Sequence, residues 1–271
     1  MQRHYKPTLD QLYRHDVRAE NAGWKYLSFA VAALEATQAL EHNTGNEECV
    51  IVPLIGHATV SYGGEAHTIG RDDLFRQLTD IIYLPPRTDF RIMASERFEL
   101  AMGRAPAVGR LPPRRIRRED MASFVRGDAN VQRGVNVLLD SDELAERLIA
   151  FEIRPPSGNW SSFPPHRHDS RDNSSYHEET YYYRLAPADG FAMQRIYTRD
   201  TDLDVAISVA DGDLVLVHEG YHAVVNAPGT NAYYLNFLAG DVRKMRPVND
   251  PHYDWVTKQW DGNPNPIPVR A

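Results

Sequence analysis

The sequence predicts an all-β protein made of two similar barrels, and three observations lead there. Short β-prone runs recur along most of the 271 residues, separated by glycine and proline turns. Helical periodicity is confined to one brief segment. The two halves also echo each other: EECVIVPLIG (47–56) aligns with EETYYYRLAP (178–187), and DIIYLPPRTDFRI (80–92) with DLVLVHEGYHAVV (213–225). That spacing is far longer than a solenoid repeat, so it implies duplication of a whole barrel. The expected layout is an N-terminal barrel over 1–110, a linker over 111–145 and a C-terminal barrel over 146–271.

The elements justify themselves in order. ECVIVPLIGHATVSYGGEAHTIG (48–70) holds two β-rich runs flanking Gly56, then a Gly63-Gly64 hairpin turn. DIIYLPPRTDFRIMAS (80–95) reads as strand, proline turn, strand, and RFELAMGRAP (97–106) as a further strand. RLPPRRIRRED (110–120) is rich in proline and arginine, which suits either a solvated connection or an anion-binding patch. DSDELAERLI (140–149) is the one expected helix, with Asp140 or Ser141 as its cap. Strands resume at 146–156, 181–185, 191–198, 204–220, 222–229 and 232–240, where β-branched and aromatic residues dominate. The tail from 247 on, with Pro247, Pro251, Pro264, Pro266 and Pro268, is expected to be mostly irregular.

Composition narrows the function classes. The formal net charge is −7, which speaks against a nucleic-acid footprint. Cys49 is the single cysteine, so no intrachain disulfide forms and nothing indicates an oxidising compartment. The opening MQRHYKPTLDQLYRHD has no apolar core of a secretory signal, and no run approaches the roughly 18 apolar residues of a membrane helix. The expectation is a cytoplasmic protein with no membrane partner.

The chemistry concentrates in SSFPPHRHDSRDNSSYHEETYYYR (161–184). Read as a strand, PPHRHD places His166 and His168 on one face and Arg167 on the other. Two imidazoles on one face suit metal chelation. Glu178 and Glu179 are adjacent, so one of them faces inward; Glu179 shares parity with Tyr181 and Tyr183, Glu178 with Tyr182. Parity alone does not choose between them. A further ligand is expected later, and DGDLVLVHEGYHAVVNAPG offers His218 and His222. Three imidazoles and one carboxylate suit a borderline divalent cation such as Mn, Fe, Ni or Zn.

At these residues the chain resembles the cupin superfamily: Gly158, then His166 and His168, then Glu179, and later Gly212, Gly220, His222 and Asn226. The resemblance implies a bicupin of two jelly-roll barrels, with one metal held by His166, His168, Glu179 and His222. It favours Glu179 because the family places its acid one residue before a short aromatic strand, as in ETYYY. Two departures stand out. Ten residues separate His168 from Glu179, where three or four are usual, and His218 stands where proline is usual. In the N-terminal half only Glu48 and His42 echo the ligands, and Phe90 takes the place of His222, so that barrel is expected to be a metal-free scaffold.

GNWSSFPPHRHD, EETYYYR, GFAMQRIYT, DGDLVLVHEGYH, YYLNFLAG, GWKYLSF, GRDDLF and YLPPRTDF together resemble the 5-deoxy-glucuronate isomerases of myo-inositol catabolism along nearly the whole chain. That resemblance implies interconversion of 5-deoxy-glucuronate, an aldose acid, with 5-dehydro-2-deoxy-gluconate, a ketose acid. A divalent cation would act as Lewis acid, with no organic cofactor and a small sugar acid as the substrate. Candidate bases are a hydroxide on the metal, Glu179, Glu178, His177 and His218. Arg195 is the expected anchor of the substrate carboxylate, because guanidinium pairs with carboxylate in bidentate fashion. Tyr181, Tyr183 and Tyr234 are expected to face the sugar hydroxyls. The competing readings are an Fe(II) bicupin dioxygenase, a 5-keto-4-deoxyuronate isomerase and a non-catalytic ligand-binding bicupin. Edge strands could pair between chains into a homo-oligomer, but no feature fixes a partner.

Overall fold

The run from Glu47 to Tyr62 stays a single strand although a glycine sits at its middle. Its first part pairs with Phe98–Pro106 and Ile81–Leu84, and its second part with Asp89–Ala94 and Glu65–Arg71. The strand turns a barrel corner at Gly56. There φ is +80°, and a Cβ would lie 2.1 Å from the Arg97 carbonyl oxygen, so only glycine fits. The computed structural model describes residues 2–259, and Pro264, Pro266 and Pro268 of the expected irregular tail lie outside the described residues.

The N-terminal barrel is a nine-stranded sheet curled on itself. The C-terminal barrel is a seven-stranded sheet facing a five-stranded one. The seven run in the order His4–Tyr5, Leu214–Val217, His177–Ala186, Asn231–Gly240, Ile149–Arg154, Arg133–Leu139 and Ser123–Arg126. The five run Asp204–Val209, Ala192–Tyr197, Tyr221–Asn226, Trp160–Arg167 and Val248–Asn249. Each barrel therefore borrows an edge strand. His4–Tyr5 pairs with Val215 and Leu214, while Arg114–Ile116 pairs with Ile81–Tyr83 of the N-terminal barrel.

The segment 111–145 is consequently no plain linker. After Arg114–Ile116 it supplies two strands to the seven-stranded sheet, so the C-terminal barrel begins well before residue 146. Two of its arginines are paired with acids: Arg115 donates to Asp80 at 2.6 Å, and Arg117 to Asp120 at 3.0 Å. The expected helix over 140–149 is a turn instead. Ser141 caps only the N–H of Glu143, and the N–H groups of Glu146, Arg147 and Leu148 all point at the Glu48 carboxylate, each at 2.7 Å. A carboxylate taking those three donors leaves none for a helical ladder. Past residue 247 the chain carries a short strand, a 3-10 turn at Pro251–Tyr253 and the helix Asp254–Gln259.

Three apolar cores result. One fills the N-terminal barrel around Ile51, Val60, Phe90 and Phe98. One fills the C-terminal barrel around Tyr181, Tyr183, Val217, Val224 and Tyr234. The largest lies between the two main sheets, where Phe29, Val50, Val52 and Tyr83 meet Tyr182, Leu216, Leu235 and Phe237. Alternation assigns the tyrosine run to two of these: Tyr181 and Tyr183 go inward and Tyr182 goes to the interface. A fully buried Arg71–Glu152 ion pair at 2.6 Å ties the barrels together. Such a pair gains registry more than net stability, since desolvation offsets much of the attraction.

Candidate metal centre

His166 sits on Trp160–Arg167, directly opposite His222 on Tyr221–Asn226. Their rings stand 4.5 Å apart between centroids. His168 follows just after the strand, on the same side as His166, while Arg167 faces away and pairs with Asp169 at 2.7 Å. One ligand nitrogen from each of His166, His168 and His222 lies within 4.8 Å of the others.

The long gap to the glutamate is closed by a loop that leaves and returns. His168 and His177 exchange bonds through His177 N–H to the His168 carbonyl at 2.8 Å and His168 Nδ1 to the His177 carbonyl at 2.9 Å. Asp169 adds a bond from the Gly220 N–H at 2.8 Å, fixing the loop to the start of the His222 strand. Glu179 then lands beside the imidazoles, with Oε2 2.9 Å from His168 Nε2 and 3.2 Å from His222 Nε2.

The donor set calls for a cation. A carbonyl only accepts, so Nδ1 of His168 and Nδ1 of His222, the latter 3.2 Å from the Gly220 carbonyl, carry the ring protons. In the neutral rings both Nε2 lone pairs therefore face the Glu179 carboxylate, and the buried Nε2 of His222 has no hydrogen-bond donor or acceptor matched to it. Lone pairs and a carboxylate converging in a buried place are stabilised by a proton or a metal ion between them. Charge follows the same logic. Burial disfavours the Glu179 charge, but the His168 and His222 imidazoles beside it outweigh this and hold the carboxyl well below its usual range. Burial also disfavours the His168 charge, and Glu179 reverses this, raising that imidazole above its ordinary value. His166 is pushed well below its usual value by burial and by the two other imidazoles. Three imidazoles and a carboxylate with an approach from one side fit a resident divalent cation.

That approach is a cavity of about 460 Å³ in the mouth of the C-terminal barrel. Tyr181 and Tyr234 line it beside His166 and Glu179. The Tyr181 hydroxyl lies 3.2 Å from Ser162 Oγ, and Tyr234 bonds to Ser161.

Other expected site residues are elsewhere. Glu178 faces the opposite side of the sheet, accepting backbone N–H groups of Lys25, Tyr26 and Leu27 at 2.7, 2.9 and 2.7 Å. Strand alternation, which left the choice open in the sequence, puts it in the interface and removes it as a base. His218 is also at the interface, bonded to the Ala22 carbonyl at 3.0 Å and packed on Trp24. His177 stands behind His168, and burial with His168 beside it lowers it to about 4. Arg195 lies on the outer face of its strand in an exposed pair with Asp204 at 2.8 Å, so it cannot reach a ligand in the cavity. Tyr183 is buried deeper, donating to Gln194 at 2.9 Å, and does not border the cavity. The sequence reading missed Arg126 and Arg133, both of which line it. Their signal was the β-alternation of SFVRG and QRGVNVL, hidden by taking 111–145 as a linker.

The chain is similar to several known proteins. The 5-deoxy-glucuronate isomerase of Geobacillus kaustophilus (strain HTA426) is 40% identical over 246 residues, covering 89% of this chain and 89% of the relative. The 5-deoxy-glucuronate isomerase of Bacillus subtilis (strain 168) is 36% identical over 252 residues, covering 90% and 93%. The crystal structure of an IolB-like protein from Salmonella typhimurium LT2 superposes with a TM-score of 0.92 at 33% identity, covering 95% of this chain and 100% of that one. Bacillus subtilis oxalate decarboxylase shares the fold alone, at 12% identity and a TM-score of 0.65 over 92% of this chain. The family model described as KduI/IolB matches residues 3–256, and with these relatives it establishes that the chain belongs to the KduI/IolB family.

Proposed function

We propose that the chain is an aldose–ketose isomerase that converts 5-deoxy-glucuronate to 5-dehydro-2-deoxy-gluconate in inositol catabolism. It would work with one divalent cation held by His166, His168, Glu179 and His222. What supports the reading is the meeting of three imidazoles and the Glu179 carboxylate at a cavity, in a chain that aligns nearly end to end with relatives named for that reaction. A cation in this place supplies Lewis-acid polarisation of a carbonyl and its neighbouring hydroxyl.

The chain's own residues do the rest. His168 and His222 are locked in one tautomer by the carbonyls of His177 and Gly220, which keeps both Nε2 atoms directed at the centre. The hydroxyls of Tyr181 and Tyr234, anchored by Ser162 and Ser161, orient sugar hydroxyls over it. Glu179, the carboxylate that borders the cavity beside the imidazoles, would carry the proton between the two carbons. Apolar walls from Val135, Val137, Phe151 and Leu238 exclude bulk water. A volume of about 460 Å³ accommodates a six-carbon acid.

The test follows 5-deoxy-glucuronate with the purified protein by NMR in deuterated water, before and after chelation. Ketose formation that stops with chelator and returns with added metal is the expected result. Oxygen uptake with a cleaved product would replace the reading by a dioxygenase, and binding without turnover would leave a ligand-binding protein. No helix among the described residues is long and apolar enough to cross a membrane.

A further inference from the structure

Arg126 and Arg133 stand directly opposite each other on neighbouring antiparallel strands, on the face that lines the cavity. Like charges in that position repel each other. Arg133 is only 8% exposed, and a buried guanidinium is costly without an acid beside it. Arg71, Arg104 and Arg167, the other buried arginines among the described residues, each hold a carboxylate: Glu152, Asp16 and Asp169. Arg133 holds none among the described residues. Its Nη1 donates to the Val131 carbonyl at 2.9 Å, and burial, with Arg126 opposite, works against its charge. Asp128 on the same wall is engaged otherwise, accepting the Ala129 N–H at 2.7 Å.

The strand connection is shaped around this guanidinium. Gly127 has φ +86°, and a Cβ there would lie 2.2 Å from the Val131 oxygen and 2.8 Å from Arg133 Nη1. Only a glycine lets the turn close on the arginine. Arg133 also sits within electrostatic range of Tyr234 and Tyr181, and Arg126 within range of His166, so both arginines share the chamber of the metal centre.

We infer that the Arg126–Arg133 pair receives the carboxylate of the sugar-acid substrate while the carbonyl end of the same molecule lies at His166, His168, Glu179 and His222. The inference rests on the isomerase reading and takes over the role that Arg195 cannot fill. Arg133, rigid and desolvated, presents its fork to the carboxylate; Arg126, exposed at the mouth, draws the anion in and closes on it.

The test uses the metal-loaded protein with Arg126→Gln, which alters an exposed side chain, and Arg133→Lys, which keeps the charge but loses the fork. For 5-deoxy-glucuronate, KM should rise about tenfold to a hundredfold in either variant, as expected for a lost charge-assisted hydrogen bond, with kcat and bound metal changing far less. The neutral analogue 5-deoxy-glucose should be handled poorly and equally by wild type and variants. An unchanged KM for the acid, or an equal loss for acid and neutral analogue, overturns the inference. A second readout does not need turnover. D-glucuronate, but not D-glucose, should raise the Tm of the wild type, and Arg126→Gln should remove that shift. If wild type fails to isomerise, the isomerase reading falls while this shift still decides the anion site; an equal shift in wild type and Arg126→Gln rejects it.

Discussion

The two barrels share a frame and differ in what they place inside it. Glu48 and Glu178 do the same work in each half: one carboxylate accepts three consecutive backbone N–H groups from the other half, at 146–148 and at 25–27 respectively. The pair fixes the equivalence of the halves, and one residue further on the halves diverge. Glu179 faces the imidazoles in the C-terminal barrel, whereas Cys49 is fully buried in the apolar core of the N-terminal one. Likewise His42 lies opposite Phe90 where His166 lies opposite His222. The same corner of the same barrel is thus a donor cluster in one copy and hydrocarbon in the other. The interface carboxylate belongs to the architecture, and the next residue sets whether a carboxylate or a thiol faces the barrel interior.

This contrast can be broken in several places. The largest effect is expected for His222→Ala. Removing one imidazole should lower turnover by well over a hundredfold, since even partners that merely orient ligands cost about 10–100-fold. Circular dichroism should still report a folded barrel; an active variant would dissolve the difference between the halves. Next come Glu48→Ala and Glu178→Ala. Each should destabilise the chain by about 3 kcal/mol, because three backbone N–H groups, at least one of them buried, lose their acceptor. Denaturant titration should give similar losses for the two, and folded Glu178→Ala should keep its activity. A loss of turnover at full stability would restore Glu178 to the chemistry.

Smaller still is the behaviour of Cys49. Burial pushes its thiol up to about 12, with Arg104 opposing only in part. The group is therefore neutral across the physiological range, and thiol reagents at pH 8 should label it only after unfolding. Rapid labelling of native protein would mean that the N-terminal barrel opens. Arg195→Ala should change KM least of all, within about twofold, because an exposed ion pair far from the cavity contributes little.

Much of this was legible in the sequence because strands and chelating residues obey a period of two. HxH placed His166 and His168 on one face, and the two-barrel duplication followed from the echo of 47–56 in 178–187. Where the reading slipped, a tertiary contact had overridden a local rule. The echo set Glu48 against Glu179, but three N–H groups per carboxylate show that Glu48 matches Glu178. The helix pattern of 140–149 yielded to that same Glu48. Arg195 lies on a barrel strand, yet its parity sends it outward onto Asp204. The arginines at the cavity escaped notice because a Pro/Arg-rich run beside them reads as connection, and strand pairing across it is visible only in three dimensions.

The most direct test counts metal ions. Wild-type protein loaded with a divalent cation and dialysed should retain one ion per chain by elemental analysis, and Glu179→Ala should retain almost none while Cys49→Ala retains one. Two ions per chain, or an ion kept by Glu179→Ala, would contradict a single centre confined to the C-terminal barrel.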